Sequence, residues 1–192
     1  MIFYNFDYYS ENLIEILYLW QGGLSFHGGL LGIVTATIII SKLYKTTFFE
    51  ISDLICVSAP VGIFFGRISN FINGELFGRP SNFLIGMKFP NADNQYRHPS
   101  QLYEAFLEGL LLFIILNFLI FKFKKLKNPG IISGVFLMLY GLFRFTVEFT
   151  REPDIQLGFV YHFLTMGMIL SLPMFLAGIL ILVIKSIKND TR

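Results

Sequence analysis

Apolar residues gather in five long blocks, at roughly 27–43, 51–70, 102–121, 131–149 and 160–184, and most of the charge lies outside them. Each block is near the ~20 residues a helix needs to cross a hydrocarbon core of ~30 Å. No soluble domain or low-complexity tract separates them. The pattern predicts one all-α, polytopic integral membrane domain over residues 1–192, with about five transmembrane helices. Pro60 and Pro173 fall inside the second and fifth blocks, where a kink is tolerable if neighbouring helices or water satisfy the freed carbonyl. The segment 71–101 is too polar to span and is expected to form a small external head or arm.

Composition agrees with the pattern. Apolar residues make up 54% of the 192, phenylalanine occurs 23 times, and the mean hydropathy is +0.62. A soluble domain of this size would expose too much of that surface. The single cysteine, Cys56, excludes an internal disulfide and is expected simply to pack within its span. The first residues, MIFYNFDYYSENLIEIL, are aromatic and acidic, so no cleavable signal peptide is expected there.

Charge then orients the spans. Lys42 and Lys45 follow the first, Lys122, Lys124, Lys125 and Lys127 lie between the third and fourth, and Lys185, Lys188 and Arg192 follow the fifth. By the positive-inside rule that face is cytoplasmic. Six cations remain for the outer face or the spans: Arg67, Arg79, Lys88, Arg97, Arg144 and Arg151. Topology does not explain them, whereas binding of an anion would.

Arg67 and Arg144 lie inside the spans themselves. A guanidinium cannot shed its proton, and holding one at membrane depth costs about 2.5–3.5 kcal/mol on insertion scales unless a partner or wet cavity receives it. The second span ends in GRISNFINGELFGRP, where Arg67 and Asn70 share a helical face and Asn73 lies three residues on. The guanidinium fork matches phosphate oxygens and the two amides add donors beside it. The bland reading is an arginine reaching to the interface above helix-capping asparagines. The fourth span ends in YGLFRFTVEFTREPD, which sets Tyr140, Arg144, Glu148 and Arg151 on one stripe. Glu148 is the obvious counter-ion of Arg144, and a purely structural pair is one reading. Excess positive charge on the stripe favours an external anion.

His27, in GGLSFHGGLLG, stands at the outer end of the first span. It suits proton transfer near neutral pH, or it is an interfacial histidine beside helix-packing glycines. RHPSQLYE opens the third span, with Pro99 suited to a first turn, Gln101 to help the start, and Tyr103 and Glu104 expected near the interface. His98 offers a second proton-transfer group, but a structural role at that helix start is the expected one. No P-loop, zinc spacing or dinucleotide fingerprint occurs, so neither cofactor nor metal is expected, and nucleic-acid binding has no support. The anion best suited to outer-leaflet arginines is a phospholipid phosphodiester.

GGLSFHGGLLG, GRISNFINGELFGR, RHPSQLYEA and YGLFRFTVEFTREPD together resemble, in order, the motifs of the prolipoprotein diacylglyceryl transferase family. The resemblance implies a multi-pass enzyme of the bacterial plasma (inner) membrane with its active site toward the outer, periplasmic face. Such an enzyme moves the diacylglyceryl group of phosphatidylglycerol to the lipobox cysteine of a preprolipoprotein signal peptide and releases glycerol 1-phosphate. It implies that Arg67, Asn70 and Gly78 bind phosphatidylglycerol, that Arg144 and Arg151 are essential or supporting arginines, and that His27 and Tyr140 occupy active-site positions. Asn73 and Glu148 join the substrate-binding set from the stripes above. On this reading Arg67 and Arg144 clamp phosphate, and His27 or a neighbour assists thiol deprotonation. The chain departs from the family in Ser69, where the signature has glycine, and in beginning near the end of what resembles the family's second span. Alternatives are an inactive or partial copy of the enzyme, or a non-catalytic phospholipid-binding or transport protein.

Overall fold

The structure, a computed structural model, describes residues 26–153, 159–161 and 164–190. Five helices appear in it: α1 (Phe26–Leu43), α2 (Phe48–Ile72), α3 (Ser100–Phe123), α4 (Ile131–Val147) and α5 (Met166–Asp190). A short antiparallel pair, β1 (Phe159–Tyr161) and β2 (Leu164–Thr165), precedes α5. Among the described residues the fold is thus all-α apart from this strand pair. Three helices, α2, α3 and α5, are long and apolar enough to cross a membrane by themselves, and α1 and α4 are shorter apolar helices.

Burial is inverted relative to a water-soluble protein. Leu54, Phe65, Ile114, Phe118, Leu176 and Leu180 are exposed, while Asp53, Glu104 and Glu108 are at most 1% exposed. Apolar side chains facing outward around buried carboxylates are what a hydrocarbon solvent selects. The chain is a membrane protein.

Residues 1–48 and 49–192 form two compact units, and α1 belongs to the first. Its polar residues are satisfied locally: Thr37 donates to Ile33 O at 2.7 Å and Ser41 to Ile38 O at 2.9 Å. Lys45, at φ 54°, turns the chain out of the helix.

In the second unit, Leu112 and Leu116 of α3 and Ile132 of α4 are fully buried, with Cys56 and Val57 of α2 packed against them. Cys56 does take the packing role expected of it. Helices α4 and α5 approach at backbone distance through glycines. A Cβ on Gly141 would lie 2.8 Å from both Phe175 N and Ser171 O, and one on Gly178 would collide with Met138 N. Small residues allow such approach where lipid offers no hydrophobic driving force between helices. The start of α4 is capped from another helix: Asp53 of α2 accepts from Gly130 N and Ser133 N, both at 2.8 Å. Beside this end, Lys185 of α5 lies over the Phe49 ring at 4.5 Å. The lysine-rich ends therefore gather together, opposite the intramembrane arginines.

Two boundaries differ from expectation. The fifth span starts at Met166 rather than near 160, because 159–161 and 164–165 are taken by the β pair and Thr165 caps the helix, accepting from Met168 N at 3.3 Å. Pro99 sits at the N-cap of α3 rather than in its first turn. From there Ser100 Oγ donates to Leu76 O at 3.1 Å and Gln101 Nε2 to Glu75 O at 2.6 Å. These two bonds tie the start of α3 to the chain leaving α2.

Candidate functional site

Arg67 lies little more than a turn before the end of α2, and Arg144 one turn before the end of α4. Helix α3 runs against both and supplies carboxylates. Its residues Ala105–Leu111 form a π-helical turn, which is wider than an α turn and marks functional sites disproportionately. Glu104, at the edge of that turn, receives three guanidiniums. Arg67 Nε is 2.7 Å from its Oε2, Arg144 Nη1 is 3.3 Å from the same oxygen, and Arg151 Nη1 is 3.2 Å from Oε1. Glu108 lies one turn deeper, 3.8 Å from Arg67 Nη2 and 3.9 Å from Arg144 Nη1. Gly109 lets α3 come this close to α2, since a Cβ there would stand 2.7 Å from Phe64 Cβ.

The outer side of the cluster is built from the chain after α4. Glu148 Oε2 binds Arg144 Nη2 at 2.9 Å, and Thr165 donates to Glu148 Oε1 at 2.8 Å. This carboxylate stands at the start of α5, where the helix dipole favours a negative charge. Gly167 makes room for it, because a Cβ there would meet its oxygens at 2.6 and 2.7 Å. Arg79 closes the rim, donating through Nε to Arg151 O at 2.7 Å and through Nη2 to Glu148 O at 3.4 Å. Gly78 is bridged to Arg151, and a Cβ on it would collide with Thr150 O.

Three cations, Arg67, Arg144 and Arg151, thus face three carboxylates, Glu104, Glu108 and Glu148. The expected excess of positive charge on the α4 stripe is corrected by this arrangement: α3 brings the missing negative charge. Glu104, expected near the interface, is 0% exposed at the centre of the cluster. Arg67 and Arg144 keep some exposure, 20% and 15% of their side chains. Arg144 Nη1 has no hydrogen-bond partner. That atom is buried, and its nearest carboxylate oxygens are Glu104 Oε2 at 3.3 Å and Glu108 Oε1 at 3.9 Å.

Other expected residues fall at varying distances from this centre. Tyr140 lies one turn deeper than Arg144, stacked on Phe136 at 5.7 Å. Asn70, with its amide turned to match its neighbours, donates to Gly66 O at 3.3 Å and Glu75 Oε1 at 3.1 Å. Asn73 donates to Glu75 Oε1 at 3.3 Å and, through its carbonyl, accepts from Asn91 at 3.1 Å. Both asparagines thus close the end of α2 and brace the segment after it. Gly78 enters as a backbone crossing. His27 lies in the first turn of α1 by its main chain, and its side chain falls outside the described residues, as do residues 22–25 of its motif. His98 takes the structural part expected of it, with Nδ1 3.2 Å from Tyr103 Oη and its main chain paired to Gly78 and Arg79.

Two of the six unexplained cations have structural partners in the segment between α2 and α3. Arg97 bonds Asp93 at 2.8 Å and Glu152 at 2.9 Å and lies over the Phe77 ring. The Arg97 guanidinium holds the Asp93 carboxyl below its usual range. Lys88 lies over the Tyr96 ring at 5.2 Å. What the sequence reading missed is Glu108, the central part of Glu104 and the place of Arg79 at the rim. For the glutamates a signal was present: two carboxylates at i and i+4 in an apolar span are as costly as the arginines and point inward for the same reason.

Residues 1–184 match the family described as prolipoprotein diacylglyceryl transferase. The phosphatidylglycerol–prolipoprotein diacylglyceryl transferase of Rickettsia bellii (strain OSU 85-389) is 50% identical over 192 residues, which is all of this chain and 73% of that protein. Proteins of the same name from Rickettsia felis and Rickettsia rickettsii are 52% and 53% identical over 178 residues, or 93% of this chain and 69% of theirs. A family match over nearly the whole chain and identity at this level lead to one statement: the chain belongs to the prolipoprotein diacylglyceryl transferase family.

Proposed function

We propose that this protein transfers the sn-1,2-diacylglyceryl group of phosphatidylglycerol to the lipobox cysteine thiol of a preprolipoprotein, at the outer face of a bacterial inner membrane. The thiol sulfur forms a bond to the terminal glyceryl carbon. The bond from that carbon to the phosphate oxygen breaks, its electron pair leaving with glycerol 1-phosphate, and the thiol proton is released. Family membership supports the transferase class. The observation that carries the site is the convergence of Arg67 and Arg144, from two different helices, on the single carboxylate Glu104.

Charge develops on the phosphate oxygen as the carbon–oxygen bond breaks. Guanidiniums already fixed in place stabilise it without reorganising at that moment, which is the source of most electrostatic catalysis. In this reading Arg67 and Arg144 exchange part of their contact with Glu104 for the phosphate. Arg151 and Glu148 hold the rim, with Gly78, Asn70 and Asn73 fixing the chain around it. His27 and Tyr140 are the candidates for handling the thiol proton. Transfer from labelled phosphatidylglycerol to a lipobox peptide tests the reading. A chain that binds the lipid but never forms the thioether would be the non-catalytic phospholipid-binding protein instead.

A further inference from the structure

Glu108 is the least satisfied charge in the described residues. It is 0% exposed, and neither carboxylate oxygen receives a hydrogen bond. Its ionic contacts, at 3.8 and 3.9 Å, are the longest in the cluster. The groups that face it are Glu104 on its own helix, Arg67 on α2, Arg144 and Tyr140 on α4, and Arg151 beyond α4. Glu148, by contrast, has Arg144 and Thr165, and Glu104 has three guanidiniums within 3.3 Å.

Among the described residues, a phosphodiester brings one negative charge into a buried set of three cations and three carboxylates. The sum would then be a buried, uncompensated anion, which low-dielectric surroundings penalise heavily. Arg79 adds a cation only at the rim, half-exposed and donating to the Arg151 and Glu148 main-chain carbonyls. Neutralising one carboxylate restores the balance. Glu108 loses least by it, because its ion contacts are long and no hydrogen bond is given up, and as an acid it gains an O–H to donate.

We propose that Glu108 takes up one proton when the anionic headgroup enters, so that the site binds phosphodiester and proton together. This rests on the reading of the cluster as the phosphatidylglycerol site. Linkage then requires affinity to be higher at lower pH and to fall by up to about tenfold per pH unit as pH rises through the window of uptake. Glu108→Gln supplies the neutral form permanently, so its affinity no longer depends on pH across this window.

The test is calorimetric titration of short-chain phosphatidylglycerol into the full chain in detergent, near neutral pH, in two buffers of different ionisation enthalpy. The expected result is net proton uptake, of up to one proton per lipid, by the natural chain and none by Glu108→Gln. Lipid binding without proton uptake in the natural chain overturns the proposal while leaving the lipid site standing. So does uptake undiminished in Glu108→Gln, which would move the proton to another group. Failure of phosphatidylglycerol to bind better than the matching phosphatidylcholine overturns the site reading itself. Should Glu108→Gln not fold, absence of proton uptake by the natural chain still overturns the proposal.

Discussion

Glu104 is one carboxylate serving three guanidiniums, and that makes it the residue on which the cluster most depends. Removing it leaves Arg67, Arg144 and Arg151 without their shared partner in a buried place. Breaking a buried pair by deleting one member costs about 3–5 kcal/mol, so Glu104→Ala is expected to lower the stability of the chain in detergent by about that much, read by denaturant or thermal unfolding. Arg144→Lys separates charge from geometry. Lysine keeps the charge, but a point donor cannot reach Glu104 and Glu148 while also presenting a fork to phosphate. Loss of one fixed donor to a developing oxyanion costs about 10²–10³ in rate, so diacylglyceryl transfer is expected to fall by that factor while the protein still folds.

At the scale of elements, the glycines and one aspartate set the distances that the charges need. Gly78→Ala would force its Cβ into Thr150 O and within 2.7 Å of His98 Cβ and O. The strand-like crossing that carries Arg79 and Arg151 would shift, at about 1–3 kcal/mol for overpacking. The expected outcome is a moderate loss of stability with a larger loss of lipid affinity, measured on the same sample. Asp53→Ala removes the cap of α4 and leaves Gly130 N and Ser133 N without their acceptor. Each buried unsatisfied donor costs about 1–3 kcal/mol, and the expected result is a less stable chain, with faster hydrogen exchange at residues 130–134. These two positions also mark what the sequence could convey. The spans, the head segment between α2 and α3 and the arginine stripes follow from local hydrophobicity and spacing, so they were legible. Asp53 acting 77 residues away and Glu104 gathering arginines from two other segments depend on helix pairing, which no local pattern encodes. The start of α5 was misplaced because the residues of the β pair are as apolar as the helix that follows.

At the scale of the molecule, the lysine-rich ends and the arginine cluster lie at opposite ends of the helices of the second unit. On the proposed reading the lysine end faces the cytoplasm, as the positive-inside rule expects. In a Cys56→Ser background, Leu84→Cys in the fully exposed head tip is expected to react with a membrane-impermeant maleimide in intact spheroplasts. Lys124→Cys is expected to react only after permeabilisation. The reverse pattern would put the cluster on the cytoplasmic side and remove the case for lipoprotein modification. The most direct measurement of the central claim is transfer of label from the diacylglyceryl group of phosphatidylglycerol to a lipobox peptide by the purified chain, beside Arg67→Ala and Arg144→Ala. The predicted result is a labelled thioether with the natural chain and a loss of about 10²-fold or more with each variant; full transfer by either folded variant would contradict the account.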